Sequence, residues 1–196
     1  MRNELHLDVE THLTRRFFHL LQQGFMVEAQ VGCNVKTLLC EQLGISPEYL
    51  DERIQTIFLD GRSVDNVNST IIRNGSTLTL SAAMPGLVGA TLRKGGYYAS
   101  MRRQISHGEN TRPESLEEGM IVLKFFNLLL KELGPTFLNR GIWLDGEILE
   151  DFFKRQPNDF WAGCKAATRD GENIDPNLLT EIKWAEKRVY LKLRKL

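Results

Sequence analysis

Ile54-Gln-Thr-Ile-Phe-Leu-Asp-Gly61 and, a little further on, Asn74-Gly-Ser-Thr-Leu-Thr-Leu-Ser81 decide the reading of the fold. The first is a β-branched, aromatic run that ends in Asp-Gly, the pair that most readily turns a strand back on itself. The return runs through Arg62 and Val64. The second opens on an Asn-Gly turn and then alternates Leu78 and Leu80 with hydroxyl residues, as a half-buried strand does. Working backwards, Asn34 precedes the apolar stretch 35–43 and Gly44 follows it, which predicts a short helix capped at both ends. Ser46-Pro47-Glu48 starts a second brief helical turn. Residues 15–21 and 25–31, separated by Gln22-Gln23-Gly24, predict a β-hairpin ahead of that helix. The opening residues stay ambiguous, because Leu5, Leu7 and Val9 alternate while Leu5, Val9, Leu13 and Phe17 also fit helical spacing.

The expected order is therefore strand, strand, helix, strand, short strand, strand. With Ile57-Phe-Leu-Asp-Gly61 in the middle and Asn74 to Leu80 near the end, residues 15–86 resemble the ubiquitin-like β-grasp fold. The nearest likeness is to its sulfur-carrier branch, the small subunit of molybdopterin synthase and its thiamine-pathway counterpart. Ser81-Ala-Ala-Met-Pro-Gly86 looks like the approach to the carrier tail of that branch, and Leu92-Arg-Lys-Gly-Gly96 looks like a ubiquitin-type tail. The resemblance implies engagement of a protein partner. It also implies a free terminal glycine carboxylate, whereas this chain runs on to Leu196, so a carrier role requires cleavage after Gly96.

The second half reads as helix-rich. A helix is predicted to open at Thr111-Arg-Pro-Glu-Ser115 and to stop at Gly134-Pro135, apolar on almost every face and so suited to burial by the first domain or by another copy of the chain. Leu178, Leu179, Ile182, Ala185, Val189 and Leu193 recur at helical spacing near the end, although 189–193 also reads as a last strand completing a second β-grasp. An internal echo pairs 38–44 with 128–134 and Ile57-Phe-Leu-Asp-Gly61 with Ile142-Trp-Leu-Asp-Gly146, which reads either as a duplicated unit or as two common patterns. The fold class is thus α+β, with a β-grasp domain at 1–88, a glycine-rich basic linker at 89–112 and a helix-rich domain at 113–196.

Charge excludes some functions. Lys and Arg number 25 and Asp and Glu number 25, so neither a basic nucleic-acid coat nor an acidic tail is present. The longest apolar stretch, 120–133, is interrupted by Lys124, Asn127, Lys131 and Glu132 and is too short for a membrane span. The first ten residues alternate and carry acids, unlike a signal peptide, and Cys33, Cys40 and Cys164 are too few for a disulfide framework. The chain reads as cytoplasmic, with no membrane partner.

No catalytic signature emerges, and the chain reads as a non-enzyme without metal or cofactor. His12 and His19 are two helical turns apart, too far for one ion, and no Cys-x-x-Cys motif exists. Glu147, Glu150 and Asp151 are explained as acids at a helix start. Cys33, beside a helix start, is the best nucleophile candidate but has no evident base. The binding candidates are Gly86, Arg93, Lys94, Gly95, Gly96, Tyr97, Tyr98, Arg102 and Arg103, which combine glycines, cations and two stacking rings without matching a phosphate-loop pattern. The leading expectation is a protein-binding β-grasp module. The alternatives are RNA or phosphate binding by this segment, as in β-grasp domains of some translation enzymes, and a processed sulfur-carrier precursor. Self-association is expected through the apolar helix 116–133.

Overall fold

The computed structural model describes residues 3–105, 115–184 and 187–196, without the side chains of residue 100 and residues 103–105. It is a mixed α and β protein. The strands are β1 (Glu4–Val9), β2 (Phe25–Val31), β3 (Thr56–Leu59), β4 (Arg62–Ser63), β5 (Thr77–Ser81), β6 (Glu117–Phe126), β7 (Ile142–Asp145), β8 (Cys164–Arg169), β9 (Glu172–Ile174) and β10 (Arg188–Lys195). The chain divides into two compact units, Val27–Leu129 and the pair of segments Met1–Met26 and Leu130–Leu196. The sequence-drawn boundaries at 88 and 112 both fall inside the first of these, so residues 89–112 join two strands of one unit instead of linking two domains.

In Val27–Leu129 the strand order is β4-β3-β5-β6-β2. β3 runs antiparallel to β4 and β5, and β5 runs parallel to β6 with Leu78 opposite Leu123 and Leu80 opposite Phe125. Ile57, Leu59, Leu78, Leu80, Ile121, Leu123 and Phe125 are buried, and Val35, Leu38 and Leu39 of the helix that follows β2, at 35–42, are buried too. The local signals worked here because they are local. Asn34 Oδ1 accepts from Thr37 N at 2.8 Å, Gly44 takes φ +72°, and Ser46 Oγ accepts from Tyr49 N at 3.2 Å.

Two expectations about the neighbours of β2 are corrected. Residues 15–21 are not a hairpin arm: Thr11–Phe17 is a 3-10 helix and Phe18–Gln23 an α-helix, because the buried Leu13, Phe17, Leu20 and Leu21 follow a helical period. The place beside β2 is taken by β6 instead. Correspondingly, the predicted apolar helix 116–133, the element expected to mediate self-association, is for most of its length strand β6, with Ile121, Leu123 and Phe125 fully buried in the unit's own core. In this strand Ile121, Leu123 and Phe125 are buried and Met120, Val122 and Phe126 half-buried, so both faces are apolar and the near-continuous run does not separate strand from buried helix by periodicity. Asn127 at φ +56° ends it, and Gly134, expected as a stop, instead begins the helix Gly134–Arg140. The predicted helix opening at 111–114 lies outside the described residues.

The other unit repeats the arrangement with a different chain order, β9-β8-β1-β10-β7. β8 is antiparallel to β9 and β1, β1 is parallel to β10, and β10 is antiparallel to β7. The expected C-terminal helix is therefore corrected to β10, the strand that the alternation of Val189, Leu191 and Leu193 allowed. Its sheet buries Leu5, Leu7, Val9, Leu144 and Leu191, with a cluster in which Phe17 meets Phe152 at 4.9 Å and Phe160 at 5.7 Å.

Each unit carries strand, two short helices, strand, Asp-Gly turn, strand in that order. Asp60 and Gly61 have φ of +49° and +77°, and Asp170 and Gly171 have +50° and +89°. Asp60 N donates to Thr77 O and its Oδ1 accepts from Thr77 N, at 2.9 and 2.7 Å; Asp170 N donates to Glu4 O and its Oδ1 accepts from Glu4 N, both at 2.9 Å. Thus β1 holds the seat in one unit that β5 holds in the other. The echo read between Ile57–Gly61 and Ile142–Gly146 aligns two strands whose Asp-Gly ends differ, since Asp60 turns at φ +49° whereas Asp145 sits at φ −69° and leads straight into the helix Gly146–Lys154.

Candidate functional site

Parallel neighbours cannot be joined by a tight turn, so β5 and β6 require a long crossover. Residues 82–116 supply it, and they contain every binding candidate named from the sequence. The crossover begins with the helix Gly86–Leu92 and continues through a turn to a 3-10 segment, Tyr97–Ile105, interrupted at Arg102. Gly86 enters the helix at φ +77°. Gly89 is needed for a different reason: a Cβ there would collide with the Met84 carbonyl oxygen, so the incoming backbone lies directly on the helix.

Two of the expected ligand-binding cations are engaged inside the unit. Arg102 is buried, and its Nη1 and Nη2 donate to Asp65 Oδ2 and Oδ1 at 2.9 and 2.6 Å, a bidentate pair. Its Nε donates to Thr91 O at 2.5 Å and its Nη2 also to Arg93 O at 3.1 Å. Gly95 N donates to the same Asp65 carboxylate at 3.1 Å. Lys94 is pinned at both ends, its backbone N donating to Gln55 O at 2.7 Å and its Nζ to Leu50 O at 2.9 Å, with Asp51 Oδ1 at 3.7 Å. Burial pushes the Lys94 ammonium below the ordinary lysine range, against the opposing pull of Asp51. The segment expected to be a cationic linker is thus latched by its own cations.

Apart from Arg93, the exposed large side chains described in this segment are apolar or aromatic. Leu87, Val88, Tyr97 and Met101 are 69, 70, 91 and 75% exposed, and Tyr98 is exposed as well. The Tyr97 and Tyr98 rings meet edge to face with centroids 5.1 Å apart. They border a groove of about 380 Å³ whose other walls include Pro85, Gly86, Ala90, Gly96 and Arg93. The Arg93 side chain is exposed and has no hydrogen bond or ion pair among the described residues. The side chain of Arg103 lies outside the described residues. Of the nine candidates, then, Gly86, Arg93, Gly96, Tyr97 and Tyr98 line one groove, while Lys94, Gly95 and Arg102 fasten it from behind.

Asp65 was missed by the sequence reading, as were Leu87, Val88 and Met101. Nothing local marks Asp65, which lies 37 positions from Arg102; the adjacent apolar pair after Pro85-Gly86 was the one available sign of the others.

Burial raises the Cys33 thiol, which donates to Gln30 O at 3.2 Å and accepts from Gln42 Nε2 at 3.3 Å. Cys40 is half-buried and its thiol is likewise raised by burial. Neither environment favours a thiolate nucleophile. Glu150 accepts from Trp184 N at 2.9 Å and from Lys154 Nζ at 2.5 Å, and Asp151 pairs with Arg155 at 2.8 Å. His12 faces Glu10 at 3.3 Å and His19 faces Gln23 at 3.0 Å. Among the described residues no three His, Cys, Asp or Glu side chains come together as metal ligands, and no helix is long and apolar enough to cross a membrane. No protein-family model matches the chain, and no curated protein or solved structure matches it significantly.

Proposed function

We propose that the chain is a non-catalytic binding module of β-grasp type that engages a protein partner through the crossover 82–105. The β-grasp reading is supported by the mixed sheet of Val27–Leu129, with a helix after its first strand and the Asp60-Gly61 hairpin. It departs from sulfur carriers in its continuous chain and in drawing the strand beside β2 from residues 117–126. The observation that carries the functional reading is the exposure of Leu87, Val88, Tyr97 and Met101 on a segment held in place by Arg102 and Lys94. Apolar side chains grouped on a fixed surface mark interaction sites, and Tyr, Met and Arg are the residues enriched in them.

The RNA alternative loses support because two of its intended phosphate ligands are committed to Asp65 and Leu50. The processed-carrier alternative would require a protease to extend a turn in which Lys94 N, Gly95 N and Gly96 N are all hydrogen-bonded. Photo-reactive benzoylphenylalanine in place of Tyr98 in the full chain tests the reading. A discrete adduct should form in cells, disappear in the Leu87→Ser, Val88→Ser double variant, and persist in Leu178→Ser. Absence of any adduct that depends on Leu87 and Val88 overturns it.

A further inference from the structure

We infer that the partner segment presents carboxylates flanking a large apolar side chain, the apolar group entering the tyrosine-lined groove and a carboxylate meeting Arg93. This rests on the docking reading above and names the chemistry of what docks. From Asn66 to Gly108 the chain contains no Asp or Glu, although the whole protein has as many acids as bases. Among the described residues, the acids that bond to this stretch come from outside it and are engaged there: Asp60 by Ser76 and Thr77, Asp65 by Arg102 and Gly95, Asp51 by Lys94. Arg93 stands at the groove with its planar donor fork and, among the described residues, no carboxylate, and such a fork is built for bidentate recognition of one.

Charge also separates the possible occupants. A second copy meeting through the same patch would set Arg93 against Arg93 with no acid of the stretch between them. An anionic membrane is drawn by clusters of about 4–8 basic residues, and a nucleic-acid strand by a row of phosphate contacts; here, among the described residues lining the groove, Arg93 is the one guanidinium beside a concave aromatic surface. A guanidinium set next to an apolar, tyrosine-lined groove matches an acidic, apolar peptide.

Three labelled nine-residue peptides test this on the full chain by fluorescence anisotropy: one alternating Glu with Leu and Phe, one with Lys in place of Glu, and one with Ser in place of Leu and Phe. The Glu/Leu/Phe peptide should bind about fivefold or more tightly than the other two. Arg93→Glu should reverse the preference between the acidic and basic peptides, and Tyr97→Ser should weaken binding of the acidic one while the thermal unfolding curve is kept. Equal binding of the acidic and basic peptides, no binding of any, or a preference unmoved by Arg93→Glu overturns the inference. So does self-association of the free chain in sedimentation, or binding to phosphatidylserine vesicles or generic RNA that displaces the acidic peptide. A Tyr98 adduct that depends on Leu87 and Val88 but survives Arg93→Glu would leave the docking reading standing and remove this one.

Discussion

The guanidinium of Arg102 is held by Asp65, Thr91 and Arg93, and the two halves of its ion pair differ sharply in exposure, 4% for the arginine side chain and 34% for the carboxylate. Removing Asp65 strands a buried charge, whereas removing Arg102 leaves an acid that water reaches. Asp65→Ala should therefore cost about 3 kcal/mol in urea unfolding and Arg102→Met distinctly less, the asymmetry being the check. Cys164 offers a second test at this scale. Burial raises its thiol from 9.0 to about 11, with the Asp8 charge adding to the effect. Between those values the unfolded chain loses the proton and the folded chain keeps it, so stability falls as pH rises. Unfolding free energies measured from pH 8.5 to 11 should decline more steeply in the native chain than in Cys164→Ala, by about 1–2 kcal/mol across the range once partial solvent access is allowed for.

At the scale of elements, the two Asp-Gly hairpins show what was legible and what was not. Asp60-Gly61 and the caps at Asn34 and Ser46 act over three or four residues, and their chemistry can be read directly. Asp170-Gly171 has the same geometry, but its strands were obscured because the place between β8 and β10 belongs to residues 4–9, at the far end of the chain. The same holds for β6, whose neighbour β5 lies some forty residues earlier and whose apolar run has no period to distinguish strand from helix. The candidate site was legible as a concentration of glycine, cation and tyrosine. Which cations face solvent was not, because that depends on Asp65 and Leu50. Both hairpin aspartates combine a left-handed φ with a carboxylate bonded to the first N–H of a neighbouring strand. Asp60→Ala and Asp170→Ala should each cost about 1–2 kcal/mol, while Asp→Asn at either site, which keeps the turn preference and an acceptor, should cost under about 0.5 kcal/mol in the same unfolding assay.

For the molecule as a whole, Val27–Leu129 is an insertion in the chain of the other unit, whose sheet is completed by β1. Trp143, Trp161 and Trp184 all belong to that second unit, so indole fluorescence reports on it alone. Leu7 is fully buried in the strand between β10 and β8. A Leu7→Asp substitution places an unpaired charge there, and should red-shift the emission of the otherwise buried Trp184 and lower the urea midpoint; unchanged emission would mean that the sheet does not depend on its N-terminal strand.

The parallel pairing of β1 with β10 runs from Glu4 opposite Tyr190 to Val9 opposite Lys195, bracketed by Tyr190 N donating to Asn3 O and Leu196 N donating to Val9 O. Tension applied between residues 3 and 196 would load this ladder along its length, so that its hydrogen bonds must rupture together instead of peeling one by one. A pull carried through these two strands in opposite directions would thus be opposed by the whole ladder at once.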